Sequence, residues 1–183
     1  HKTTVFLAAF VCTVFSSCSK NMEVKSFTAM NTYMTVKSYG PQAKKINQKV
    51  QNEIERLEKI LSTTISDSDT FLLNSQDSLK PVKIQEETAF LIEQSQRFYK
   101  STGGAFNPAL YPVIKEWGFT TGEYKVPEAE RIKELLELTD FSKVKVEEKI
   151  VYSPAGLQLD FGAIGKGYAG DKALELLKQS GIK

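Results

Sequence analysis

The densest chemistry in the chain lies in Asp160-Phe161-Gly162-Ala163-Ile164-Gly165-Lys166-Gly167-Tyr168. The segment reads as the junction of a strand with a helix. Its glycines let the backbone come close to a ligand, and a helix amino terminus offers unpaired N–H groups to an anion. Lys166 falls in the first turn, where a cation is mildly unfavourable against the helix dipole, so an anionic partner such as a pyrophosphate suits it. Asp160, just before the turn, is placed to accept a hydrogen bond from a ribose or a base. The spacing is not the GxxxxGK[ST] of a phosphate-binding loop. Asp-Phe-Gly has a kinase counterpart, but no HRD catalytic loop or glycine-rich lid precedes it. A plain structural reading stands beside the functional one: glycines for close packing at a helix start, with a solvated lysine.

A second candidate is Ser101-Thr102-Gly103-Gly104-Ala105-Phe106-Asn107-Pro108. Gly103 can end a helix, and the amides of Gly104, Ala105 and Phe106 can hydrogen-bond a flat heterocycle. Taken alone, the same residues also make an ordinary helix cap and turn. Trp117-Gly118-Phe119 follows nearby, and a lone tryptophan there reads first as packing and second as a stacking platform.

The rest of the inventory narrows the chemistry. The only histidine is His1, which excludes histidine triads, His/Cys zinc sites and a histidine base from the body. The two cysteines, Cys12 and Cys18, both lie before the globular body, which therefore has no disulfide framework or thiol chemistry. Carboxylates, hydroxyls, lysines, backbone groups and a hard metal ion remain. A net charge of +2 with interspersed lysines and acids gives no nucleic-acid footprint.

These segments need elements to position them. With 183 residues, 41% hydrophobic and 25% charged, the chain has the balance of a globular protein. Residues 24–38 predict two short strands with an irregular join at Ala29-Met30-Asn31. Ala43, Ile46, Val50, Ile54, Leu57 and Leu61 predict an amphipathic helix opened near Pro41. A polar loop from Ser62 leads to Ser68-Asp69, which can cap a helical turn reaching Leu73. Residues 86–100 predict a second helix that buries Ala89, Phe90, Ile92 and Phe98 and stops at Gly103. Pro127 opens a third, with Ile132, Leu135 and Leu136 inward. Val144, Val146, Ile150 and Tyr152 predict a hairpin turned near Glu148. Leu157-Gln158-Leu159 reads as a strand entering Asp160. A last helix from about 164 to 179 buries Ala169, Ala173, Leu174 and Leu177, with Gly181 at its C′ position. There is no internal repeat. The expected fold is α+β, a mixed or antiparallel sheet packed with helices in one continuous domain over 24–183. Such an alternation normally goes on to another strand, so truncation at the carboxyl end is expected.

The first residues read differently. Lys2 precedes the apolar run Val5 to Phe15, too short for a spanning helix of about 20 residues but suited to an export signal. Ser16-Ser17-Cys18 resembles a lipobox, with Phe15 in place of the usual leucine. The expectation is a signal over 1–18, lipid modification at Cys18, and a short linker over 19–23. The mature chain would then be exported and held at the outer or periplasmic face of the membrane.

Five collinear blocks carry a family resemblance: Ala29-Met30-Asn31-Thr32; Ser62 through Asn74; Thr102 through Pro108; Trp117-Gly118-Phe119; and Asp160 through Tyr168. Together they resemble the ApbE family of FAD:protein FMN transferases, over residue 24 to the end. The resemblance implies a T-fold-like flavin transferase architecture. It also implies an enzyme that cleaves FAD with Mg²⁺, releases AMP and esterifies FMN to a threonine or serine of a target flavoprotein. Subunits of redox-driven sodium pumps are such targets. Carried over, Met30 and Thr64 would contact FAD, as would Gly104, Ala105, Phe106, Asp160 and Lys166. The carbonyl of Ala163 would be one Mg²⁺ ligand. The resemblance puts the remaining Mg²⁺ ligands, an aspartate and a threonine, in a later segment. Departures from the family pattern are Asn31 for glycine, Thr64 for tyrosine, Asp69 for glutamate and Asn107 for aspartate. Two alternatives stand beside the transferase: an FAD pyrophosphatase releasing FMN and AMP, and a lipid-anchored FAD-binding protein without turnover.

Overall fold

Strand β1 (Met22–Ala29) and strand β2 (Thr32–Tyr39) form an antiparallel hairpin in unbroken register, from Met22 opposite Tyr39 to Ala29 opposite Thr32. The computed structural model describes residues 22–75 and 80–181. The signal and Cys18 lie outside the described residues, and β1 begins two residues inside the expected linker. The join is not irregular: Met30 and Asn31 sit at φ 50° and 54°, the two left-handed positions of a two-residue turn. Asparagine tolerates this conformation, whereas methionine is strained in it.

Period-2 alternation turns Phe27, Ala29 and Ser38 toward helix α1 (Ala43–Leu61), whose buried face is Ala43, Ile46, Val50, Ile54, Leu57, Ile60 and Leu61. The predicted stripe is thus the observed one. Inside this interface Ser38 Oγ donates to Asn47 Oδ1 at 2.7 Å, and Asn47 Nδ2 donates to the Glu23 carbonyl at 3.1 Å. The buried Ser38 hydroxyl and Asn47 amide thereby find partners.

Ser68 caps helix α2 (Asp69–Asn74) by accepting from the Phe71 N–H. Asp69 is 5% exposed and reaches across to helix α3 (Glu86–Ser101), accepting from the Gln85 N–H and the Thr88 hydroxyl. The carboxylate thus ties α2 to the start of α3, whose N-cap residue Gln85 makes no side-chain cap bond. Phe90 and Phe98, expected inside, are 43% and 47% exposed; Thr88, Leu91 and Ser95 occupy the inner face with Ala89 and Ile92. The helical period was right and its phase was shifted, because tertiary contacts choose which stripe is buried. Gly103, at φ 60°, follows the cap of α3 as expected.

After α3 come a 3₁₀ turn at Pro108–Leu110, helix α4 (Tyr111–Glu116) and helix α5 (Ala129–Leu136). Helix α5 starts two residues after Pro127 and buries Leu135, while Leu136 is 46% exposed. A three-stranded antiparallel sheet is ordered β3 (Val82–Lys83), β5 (Ile150–Tyr152), β4 (Lys145–Glu147). The β4–β5 hairpin turns on Glu148 and Lys149, both left-handed. Strand β3 had no sequence signal, being two residues long.

Leu157-Gln158-Leu159 is not a strand. Its backbone is satisfied by a side chain: Asn74 Nδ2 donates to the Leu159 carbonyl at 2.8 Å, and the Leu159 N–H donates to Asn74 Oδ1 at 2.7 Å. One amide does the work of a neighbouring strand. Helix α6 (Gly162–Gln179) begins two residues earlier than expected and packs on α1, with Ala169 buried and Leu174 exposed. Gly181, at φ 66°, follows its cap. The architecture is α+β with both sheets antiparallel.

Arg56 on α1 pairs with Glu53 and with Glu87 on α3. Burial alone would raise the Glu87 carboxyl, but a backbone N–H and the Arg56 guanidinium together hold it below the usual carboxylate range. The native state therefore gains stability from ionised Glu87 above its unfolded pKa, near 4.3. That gain is lost as pH falls through the lower folded value. Urea midpoints should decline less steeply in acid for Glu87→Gln than for the parent.

Candidate functional site

Three parts of the chain converge on a cavity of about 650 Å³. The hairpin turn brings Thr28, Met30 and Asn31; the end of α1 and the loop after it bring Glu58, Leu61, Ser62, Thr63 and Thr64; the start of α6 brings Asp160, Phe161, Gly162, Gly165 and Lys166. Phe119 and Thr120 add a rim from the loop after α4. Helix α1 holds the outer two parts together, packing against both the hairpin and α6, with Gly165 of α6 facing Leu61.

Of the residues singled out from sequence, Met30, Thr64, Asp160 and Lys166 come together here. Gly104, Ala105 and Phe106 do not line this cavity. They form the turn after α3, where the Phe106 N–H donates to Thr102 Oγ1 and the Phe106 ring packs edge-on against Phe98 at 5.7 Å. Ala163 is exposed in the first turn of α6 and is also absent from the lining.

The amino terminus of α6 is less open to an anion than the sequence suggested. Asp160 Oδ1 already accepts from the Gly162 N–H at 2.7 Å, and the Phe161 carbonyl takes the N–H groups of Ile164 and Gly165. A Cβ at Gly162 would lie 2.8 Å from Asp160 Oδ1, so the glycine makes room for that carboxylate. Lys166, on the cavity wall, is exposed and forms no ion pair among the described residues, which leaves its ammonium free to meet an anion. Asp160, on the same cavity wall, is an acceptor that repels phosphate and suits a donor such as a hydroxyl. Leu61, Phe161 and the rim ring of Phe119 give a flat heterocycle apolar surface. Burial raises the Tyr168 phenol above its ordinary range, partly opposed by Lys172, so it stays protonated at neutral pH.

Glu58 escaped the sequence reading, which singled out only the apolar stripe of α1. Its Oε1 accepts from the Met30 N–H at 2.7 Å, across 28 positions of chain. Nothing local in the sequence signals such a contact. The bond fixes the strained turn at the cavity wall, so Glu58→Ala should weaken ligand binding about tenfold while costing roughly 1–2 kcal/mol of stability. Glu58→Gln, which keeps an acceptor, should restore most of both when measured by ligand titration and urea unfolding.

Among the described residues, no group of three or more His, Cys, Asp or Glu gathers as a metal site.

A sequence model described as the ApbE family matches residues 30–183. This chain belongs to the ApbE family. An FAD:protein FMN transferase of Treponema pallidum is 34% identical over 132 residues, which are 68% of this chain and 36% of that protein. A protein of the same description from Escherichia coli K12 is 26% identical over 163 residues, 84% of this chain and 46% of its own length. The flavinyl transferase ApbE of Pseudomonas stutzeri, a solved structure, superposes with a TM-score of 0.82 at 28% identity, covering 90% of this chain and 54% of that one. The ApbE protein of Thermotoga maritima gives 0.81 at 27%, covering 86% and 53%. This ApbE chain spans roughly a third to a half of the length of the relatives it matches.

Proposed function

We propose that this chain belongs to an Mg²⁺-dependent FAD:protein FMN transferase held by a lipid at Cys18 on the outer or periplasmic face of the membrane. In the reaction, a threonine or serine hydroxyl of a target flavoprotein attacks the FMN phosphorus and loses its proton. The bond from that phosphorus to the pyrophosphate bridging oxygen breaks, and AMP leaves. Subunits of redox-driven sodium pumps are targets of the kind intended. The observation that carries the reading is the convergence of Met30, Thr64, Asp160 and Lys166, far apart in sequence, on one cavity in a chain of this family.

In this reading the Lys166 ammonium balances the pyrophosphate, Asp160 accepts from a ribose or base donor, and the Met30–Thr64 side takes the flavin end. Phosphoryl transfer is mostly positioning and charge stabilisation, to which a lysine ammonium and backbone groups contribute directly. The backbone of Gly104, Ala105 and Phe106 is assigned further FAD contacts from outside this cavity, and the Ala163 carbonyl one oxygen toward Mg²⁺.

Lys166→Ala should weaken FAD binding by about 10- to 100-fold, the loss expected for one charge-assisted contact to phosphate. Fluorescence titration of FAD checks this, and unchanged affinity would remove Lys166 from the site. The function itself is tested with the full parent protein, FAD, Mg²⁺ and a flavoprotein substrate, read as in-gel flavin fluorescence. Chelator-sensitive labelling of the substrate supports the transferase. Release of FMN and AMP without labelling points to the pyrophosphatase, and binding without cleavage to an FAD-holding protein.

A further inference from the structure

One end of the β1–β2 hairpin lines the cavity; the other carries charge that the site does not use. At the start of β1 and along the first turns of α1, Lys25, Lys44, Lys45 and Lys49 border a single recess, with Glu23 as its only carboxylate. Lys44, Lys45 and Lys49 are exposed, and Lys25 Nζ donates to the neutral Gln48 at 2.9 Å. None of the four forms an ion pair among the described residues, although other lysines such as Lys125, Lys133 and Lys172 each do. Four lysines against one glutamate concentrate more positive charge here than the +2 of the whole chain.

Two lengths locate that charge. Cys18 stands four positions before Met22, so covalent geometry keeps its Cα within about 14 Å of the start of β1. The eight residues of β1 rise about 3.3 Å each, which puts the Met30–Asn31 turn about 26 Å further on. A lipid at Cys18 therefore holds the lysine-rich end close to the headgroup layer, where attraction between charges decays over about 8 Å at physiological salt.

We propose that this lysine-lined end of β1 and α1 docks on anionic lipid headgroups of the membrane carrying the anchor. The hairpin then acts as a spacer that stands the cavity off the bilayer, facing partner domains in the aqueous phase. The inference rests on the anchored reading at Cys18 and is independent of the flavin chemistry.

The test uses the full parent protein with its signal removed and Cys18→Ser, so that no acyl chain contributes. It is sedimented with vesicles of phosphatidylcholine alone or of equal parts phosphatidylcholine and phosphatidylglycerol, while FAD affinity is measured on the same preparation. Binding should require phosphatidylglycerol, weaken as salt rises, and fall about tenfold or more when Lys44, Lys45 and Lys49 are all changed to glutamate, with FAD affinity unchanged. The triple change to glutamine should give a smaller loss, and it decides the matter if the glutamate variant does not fold. Equal binding to both vesicle types, or wild-type binding by the folded triple variant, overturns the proposal. Vesicle binding without FAD binding would count against the flavin reading and leave this one standing.

Discussion

Asn74→Ala is expected to lower the unfolding free energy by about 2–4 kcal/mol, because it strips partners from two buried backbone groups at once. Leu159 is 2% exposed, and both its N–H and its carbonyl are satisfied by the Asn74 amide. Alanine offers neither donor nor acceptor, and water has little access to replace them. Asn74→Asp can still accept from the Leu159 N–H but turns a second acceptor toward the Leu159 carbonyl, so it should fare little better. The next residue is Asp160, on the cavity wall, so ligand affinity should fall together with stability. Urea unfolding and FAD titration of the two variants check this. Native stability in Asn74→Ala would mean that the Leu159 backbone finds other partners.

The second large effect is expected at Gly118. Its φ is 82°, and a Cβ added there would lie 2.0 Å from the Glu123 carbonyl oxygen, a backbone atom that cannot swing aside. The loop closes tightly because Gly122 donates to the Gly118 carbonyl and Lys125 to that of Trp117. Gly118→Ala should therefore open the loop locally, at a cost on the order of 3 kcal/mol, and remove Phe119 and Thr120 from the cavity rim. Trp117, the only tryptophan, stacks on Phe119 at 6.4 Å and reports the opening directly as a red shift in emission. Gly122→Ala is the control: its φ is 80°, but nothing lies within 4 Å of an added Cβ, so about 1–2 kcal/mol of backbone strain is all it should show. Equal behaviour of the two variants would rule out the clash.

The sequence was most readable where local rules govern the chain. The stripe from Ala43 to Leu61, the Ser68 cap, the hairpin near Glu148 and the left-handed Gly103 and Gly181 all follow from spacing or backbone freedom, and all are present. It was least readable where partners are distant. The buried phase of α3 depends on which elements lie behind it, so Phe90 was placed inside although it meets Tyr168 at the surface. Leu157 to Leu159 has the apolar pattern of a strand, but its neighbour is one side chain from 85 positions away. Asp160 and Lys166 could be picked out because a glycine-rich helix start is a local pattern. Glu58 could not, since its partner Met30 is joined to it only by the folding of α1 onto the hairpin.

That arrangement divides the cavity by history as well as by geometry. Met30 and Glu58 belong to a stretch, β1 through α1, whose contacts are close in sequence and can form early at small loop-closure cost. Asp160 and Lys166 arrive about a hundred residues later, docking through α6 on α1. The cavity is thus a seam between the β1–α1 unit and a part of the chain about a hundred residues further on, and a ligand filling it bridges both. By mass action such a ligand stabilises the closed seam, so amides of α6 should exchange with solvent more slowly when it is bound.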